Sequence, residues 1–158
     1  MLPPFYYSPI PSTRHQSIAL KFAAALLRHV ETRKLGQVLH APCNVVLSRE
    51  IVIQPDILFV EKKRIGIIGA SHLRGAPNLV IEVLSPGAGK RNPLAKRRIY
   101  ARFHVPEYWA VDLADNTVET LLWSEMGYIS AGCYTRSDRL SSPLLPELNL
   151  SLSRIFRK

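Results

Sequence analysis

Two carboxylates stand where apolar strands should exclude them. Asp56 follows Pro55 at the head of DILFV, and Glu82 interrupts the run NLVIEVL between Ile81 and Val83. Burying an ionised carboxylate among aliphatic side chains is costly unless a cation or hydrogen bonds compensate. If neighbouring strands bring the two acids to about 4 Å, their repulsion at an effective dielectric near 20 is on the order of 4 kcal/mol. A divalent cation relieves that repulsion, and magnesium accepts a few carboxylates together with water and phosphate oxygens. The competing reading is structural: Asp56 caps the turn after Pro55, and Glu82 pairs with an arginine.

A basic partner for the acids has to come from the stretch KRNPLAKRR, which offers Lys90, Arg91, Lys96, Arg97 and Arg98. Helical spacing separates them. Lys96, Ile99, Tyr100 and Phe103 share one face, while Arg97 and Arg98 point elsewhere. Beside an apolar face, the Lys96 ammonium can position an attacking water or stabilise negative charge developing on a phosphate. The alternative is an ordinary solvated helix lysine.

The elements that must position these groups are partly legible. Residues 1–12, with four prolines and no apolar periodicity, read as an irregular arm, and residues 13–158 as one folded domain. From Ser12 or Thr13, an amphipathic helix places Ile18, Phe22, Ala25, Leu26 and His29 at helical spacing, with Gly36 as its stop. Three β-rich pieces follow: QVLHAPCNVVLS, EIVIQPDILFV with Pro55 at an edge or strand start, and a short region through Ile67 and Ile68 after the charged turn EKKR. APNLVIEVLS has the near-continuous apolar run of a buried central strand. A second helix, PLAKRRIYARFH, carries Pro93 in its first turn and is ended by Pro106. EYWAVDL and TVETLLW form a hairpin around ADN, with Tyr108 and Trp109 as core; GYISAGCYT continues the sheet, and a short helix in the tail covers the core.

Composition limits the classes of function. The chain has 158 residues, 47% hydrophobic and 21% charged, as expected for one ordinary globular core. Its net charge of +9 suits a polyanionic partner, nucleic acid first, although a merely solvated basic surface would give the same count. Cys43 and Cys133 have no metal-ligand spacing and make no disulfide framework, which fits a reducing cytoplasm. No apolar run is long enough to span a bilayer, and Met1 is not followed by a signal-peptide pattern.

Together, QPDILFV, GAPNLVIEVLSP, KRRIYARFHVPEYWAVD and the strand TVETL resemble the PD-(D/E)XK nuclease superfamily. Within it they resemble the Uma family of restriction-endonuclease-like proteins, over a stretch from PSTRHQ to GYI. The resemblance implies an α/β restriction-endonuclease-like core, a mixed central sheet flanked by helices. It implies a site in which Asp56 and Glu82 hold Mg2+ or Mn2+ and the carbonyl of Val83 is a further ligand. Leu84 stands at the superfamily's usual lysine position, two residues after the acid; the resemblance to members whose lysine has migrated to the next helix implies that Lys96 is the catalytic lysine, with Tyr100 one turn beyond it expected to contact substrate. His15 matches a histidine that the family carries at this helix start, where it contacts substrate or the family's N-terminal acid, or is simply a surface residue. Ser85 is a turn residue within reach of a phosphate, and Arg97 and Arg98 are expected to bind the DNA backbone.

The implied reaction is metal-dependent hydrolysis of phosphodiester bonds in DNA, by a homodimer if the analogy to duplex-cutting nucleases holds. The alternatives are a catalytically inactive nucleic-acid-binding module of the same fold and an assembly subunit. Two departures point to a weakened metal site. Family members begin with a segment carrying a glutamate in a YELIDGE-like motif, whereas this sequence opens on MLPPFYYSPIPS, and Asn92 stands where the family has an aspartate.

Overall fold

The computed structural model describes residues 10–86 and 93–158. Most of the expected arm, and Lys90, Arg91 and Asn92, lie outside the described residues.

Helix α1 (Thr13–Arg33) starts at Ser12, whose hydroxyl accepts a hydrogen bond from the His15 amide at 3.1 Å and satisfies one of the otherwise unpaired first-turn donors. His15, Ile18, Phe22, Leu26 and Val30 recur at three- and four-residue spacing and are buried. Val30 takes the place on that face that periodicity alone suggests for His29. The His29 ring instead reaches the Pro146 carbonyl, 3.0 Å away. The helix ends on Lys34 in the left-handed region, at φ 54°, and not on Gly36. Gly36 opens the next strand, where a Cβ would sit 2.0 Å from the Val60 carbonyl oxygen. Glycine is required there by close approach of two strands.

The chain continues through β1 (Gly36–His40), β2 (Val45–Val46), β3 (Val52–Ile53), β4 (Ile57–Glu61), a 3-10 turn (Lys62–Ile67), β5 (Leu73–Arg74) and β6 (Leu79–Leu84). Then come α2 (Pro93–Arg102), β7 (Glu107–Asp112), β8 (Thr117–Ser124), β9 (Gly127–Tyr134), β10 (Arg139–Leu140), β11 (Leu150–Ser151) and α3 (Leu152–Ile155). The main sheet has the order β1-β4-β6-β7-β8-β9. It is mixed: β6 and β7 run parallel, and the other neighbours are antiparallel. The parallel step is made by α2, whose first residue is Pro93, where a missing N–H is tolerated. Asn116 takes φ 54° in the turn between β7 and β8, as the ADN signal anticipated. Of the β-rich region before β6, β1 and β4 join the main sheet, while β3, β2 and β5 form a second sheet in that order, with strands too short for periodicity to reveal.

β6 lies inside the main sheet, covered on both faces, so its apolar run alternates between two cores. Ile81 and Val83 join Ile57, Trp109 and the α1 residues on one side, where Leu152, Ile155 and Phe156 of the C-terminal segment also pack. Val80 joins Leu58, Tyr108 and Tyr100 of α2 on the other. Tyr108 and Trp109 are core residues, as their strand position implied.

Candidate active site

The register of β4 against β6 pairs Ile57 with Ile81, and the pairing stops there. One residue further, the next facing positions are Asp56 and Glu82. Asp56 extends the ladder with its side chain, Oδ2 accepting the Val83 amide at 2.8 Å. The same oxygen lies 3.3 Å from His15 Nε2, so the first turn of α1 reaches it from one face of the sheet. From the opposite face, α2 delivers Lys96 and Tyr100 to Glu82. Lys96 Nζ donates to both carboxylate oxygens of Glu82, at 3.0 and 2.9 Å, and to the Gln54 carbonyl at 3.2 Å. Tyr100 Oη donates to Glu82 Oε1 at 2.6 Å. Spacing along α2 explains the pair: Lys96 and Tyr100 are one helical turn apart and share the inward face.

Charge and burial shape this cluster. Glu82 is only 5% exposed, and burial holds its pKa above the ordinary glutamate value. The Lys96 charge and the hydrogen bonds from Tyr100 and Lys96 pull the other way, while the charge of Asp56 adds to the upward shift. The Tyr100 phenol is pushed well above its usual range by burial and by the adjacent Glu82 charge. The hydrogen bond with Asp56 raises the His15 pKa, which burial opposes and the charges of Asp56 and Glu82 support. His15 Nδ1 is buried without a hydrogen-bond partner among the described residues.

The structure therefore brings Asp56, Glu82, Val83, Lys96, Tyr100 and His15 together at one end of β4 and β6. Tyr100, expected from the resemblance to meet substrate, is fully buried and spends its hydroxyl on Glu82. Ser85 lies just past β6, half-buried. Arg98 is exposed on α2, and Arg97 faces Glu119 of β8 at 3.9 Å, away from the carboxylates. The Gln54 carbonyl is a participant that the sequence gave no reason to single out, since a backbone acceptor carries no residue signature.

Among the described residues no group of three or more His, Cys, Asp or Glu side chains is arranged to hold a metal. What is present is an all-oxygen set, two carboxylates and the Val83 carbonyl, which suits a hard ion that keeps several waters. Lys96 already donates to both oxygens of Glu82, so an ion held there would have to share that carboxylate with the ammonium or displace it.

A mixed sheet packed between helices, with its acids at the ends of the central strands, is a nuclease-like α/β fold. Among solved structures it matches one titled a "putative nuclease belonging to DUF820" from Anabaena variabilis ATCC 29413, with a TM-score of 0.77 and 17% identity, covering 94% of this chain and 83% of that one. The family model Uma2, described as "Putative restriction endonuclease", matches residues 5–153, and the chain belongs to that family. No curated protein matches the chain.

Proposed function

We propose that this protein is a divalent-metal-dependent endonuclease acting on DNA. The observation that carries the reading is the meeting of Asp56, Glu82 and Lys96 at one end of the central strands, supplied from three separate segments of the fold. Asp56, Glu82 and the Val83 carbonyl would hold Mg2+ or Mn2+, which when bound activates water and neutralises charge on the reacting phosphate. Lys96 keeps its ammonium on Glu82, where it would orient the attacking water or meet developing phosphoryl charge. Tyr100 holds Glu82 in one rotamer. His15 and the Val83 amide fix Asp56 Oδ2, leaving the orientation of the carboxylate set by the fold before any ligand arrives.

One observation favours a second reading, an inactive nucleic-acid-binding module. Lys96 spans both oxygens of Glu82, so the buried acid is already paired, as it would be in a purely structural ion pair. Metal binding separates the two. Titration with Mn2+ followed by electron paramagnetic resonance should show a bound ion in the wild type, lost in Asp56→Asn and Glu82→Gln variants that remain folded. No binding at millimolar Mn2+, with duplex DNA present, would leave the inactive module as the account.

A further inference from the structure

A cleft of about 270 Å³ lies between the start of α1, the β7–β8 turn and the C-terminal segment, lined by Arg14, Asn116, Arg136, Phe156, Arg157 and Lys158. Four of the six are cationic and none is acidic. Elsewhere the basic residues near acids are committed: Arg33 to Glu147, Lys63 to Glu61, Lys96 to Glu82, Arg97 to Glu119. Among the described residues none of the four cleft cations makes an ion pair. Arg14 is tethered by its guanidinium to the Asn116 side chain, and the backbone of Arg157 is held by Lys21. Phe156 is buried and anchors the segment that carries Arg157 and Lys158. An adjoining cleft shares Asn116 and Arg136 and is also lined by the hydroxyl residues Thr135, Ser137 and Ser153 and by one acid, Asp115.

This basic cleft opens at the same end of the sheet as the carboxylates. Asp112, where the β7–β8 turn begins, is paired with Leu84, two residues beyond Glu82 on β6. Arg14 directly precedes His15, whose ring reaches Asp56. Arg97 and Arg98, the sequence candidates for DNA contact, lie instead on α2 across the sheet, and Arg97 is taken by Glu119. Guanidinium forks and hydroxyls are the groups that grip successive phosphates without reading bases.

We propose that the cleft formed by Arg14, Arg136, Arg157 and Lys158 is a track for the phosphodiester backbone of DNA leading to the Asp56–Glu82 site, an inference that rests on the nuclease reading above. A membrane surface is the poorer fit. It would want exposed apolar anchors beside the cations, and Phe156, the one large apolar side chain in the cleft, is turned into the core.

The test compares two pairs of substitutions with equal loss of charge. Arg136→Ala with Lys158→Ala removes two exposed cations from the cleft. Lys62→Ala with Lys63→Ala removes two exposed cations just past the other end of β4. Anisotropy of a short fluorescein-labelled duplex, measured from about 50 to 200 mM salt, gives affinity and the slope of log K against log salt. The cleft pair should weaken binding roughly tenfold or more and flatten the slope by about two, one per lost phosphate contact. The Lys62 and Lys63 pair should stay within about twofold of wild type. Equal effects from both pairs, or none from the cleft pair, overturn the track. In that case wild-type cleavage that still requires Glu82 keeps the nuclease reading standing. A wild-type protein that binds vesicles rich in phosphatidylserine but no duplex overturns both.

Discussion

Lys96→Met tests the physical core of the site, because it removes the charge at nearly constant side-chain volume and leaves Glu82 buried. At 2.9 Å and an effective dielectric near 20, the Coulomb attraction between the two groups is roughly 6 kcal/mol. Desolvation offsets much of it, and removing one partner of a fully buried pair typically costs about 3–5 kcal/mol. The Lys96 side chain is 35% exposed, so solvent screening brings the expected loss to about 2–3 kcal/mol. For a chain of this size that is a fall in Tm of roughly 5–10 °C.

The pH dependence carries the more specific test. The Lys96 charge lowers the Glu82 pKa, which burial already holds above the ordinary glutamate value of 4.5, so the substitution raises the folded value further. A group with a raised folded pKa destabilises the fold progressively as pH climbs from the unfolded value through the folded one. The loss in Lys96→Met should therefore be small at or below the unfolded glutamate value, grow as pH rises through that window, and level off above it. Urea denaturation across this range gives the profile. A loss of the same size at every pH would mean that Lys96 acts only through packing, and the charge argument would fail.

Tyr100→Phe deletes one hydrogen bond to a buried charged acceptor and should cost about 1.5–3 kcal/mol by urea denaturation, no more than Lys96→Met because the ion pair survives. A larger loss than that of Lys96→Met would reverse the assigned ranking. Glu107 is a second buried carboxylate, outside the site, accepting from Trp109 Nε1 and Ser142 Oγ at 2.8 Å each, with burial holding its pKa above the usual range. Its ionisation weakens the fold as pH rises past the unfolded value, so Glu107→Gln should flatten part of the decline in stability that sets in above the ordinary glutamate value, leaving the share due to Glu82. An unchanged pH profile in that variant, by thermal melts, would show that Glu107 titrates as it does in the unfolded chain.

What the sequence disclosed depended on whether a residue's role was local or was set by distant chain. Glu82 was conspicuous because a charge in a six-residue apolar strand is costly wherever that strand lies. Helical spacing put Lys96 and Tyr100 on one face, and the family resemblance then assigned that face to the site. The Ser12 cap, Pro93 and Asn116 were equally local. Other features needed the fold. Gly36 looked like a helix stop, but its reason is the Val60 carbonyl on β4, a neighbour that no local rule supplies. Strands of two residues in the small sheet have no period to read. Tyr100 could be placed beside the site but not assigned a partner, and its commitment to Glu82 depends on how α2 lies against β6. The basic cleft joins Arg14 to Arg136 and Arg157, brought together only when the C-terminal segment packs beside α1.

Cleavage itself is the most direct measurement. A labelled duplex or supercoiled plasmid incubated with excess protein should be cut slowly in Mg2+ or Mn2+, and EDTA should stop it. Asp56→Asn, Glu82→Gln and Lys96→Met, each checked for folding by circular dichroism, should each abolish the reaction or slow it at least about a hundredfold. Cutting that persists undiminished in all three variants would contradict the assignment of this site. A wild-type protein that binds DNA and leaves it intact with either metal would contradict the nuclease reading.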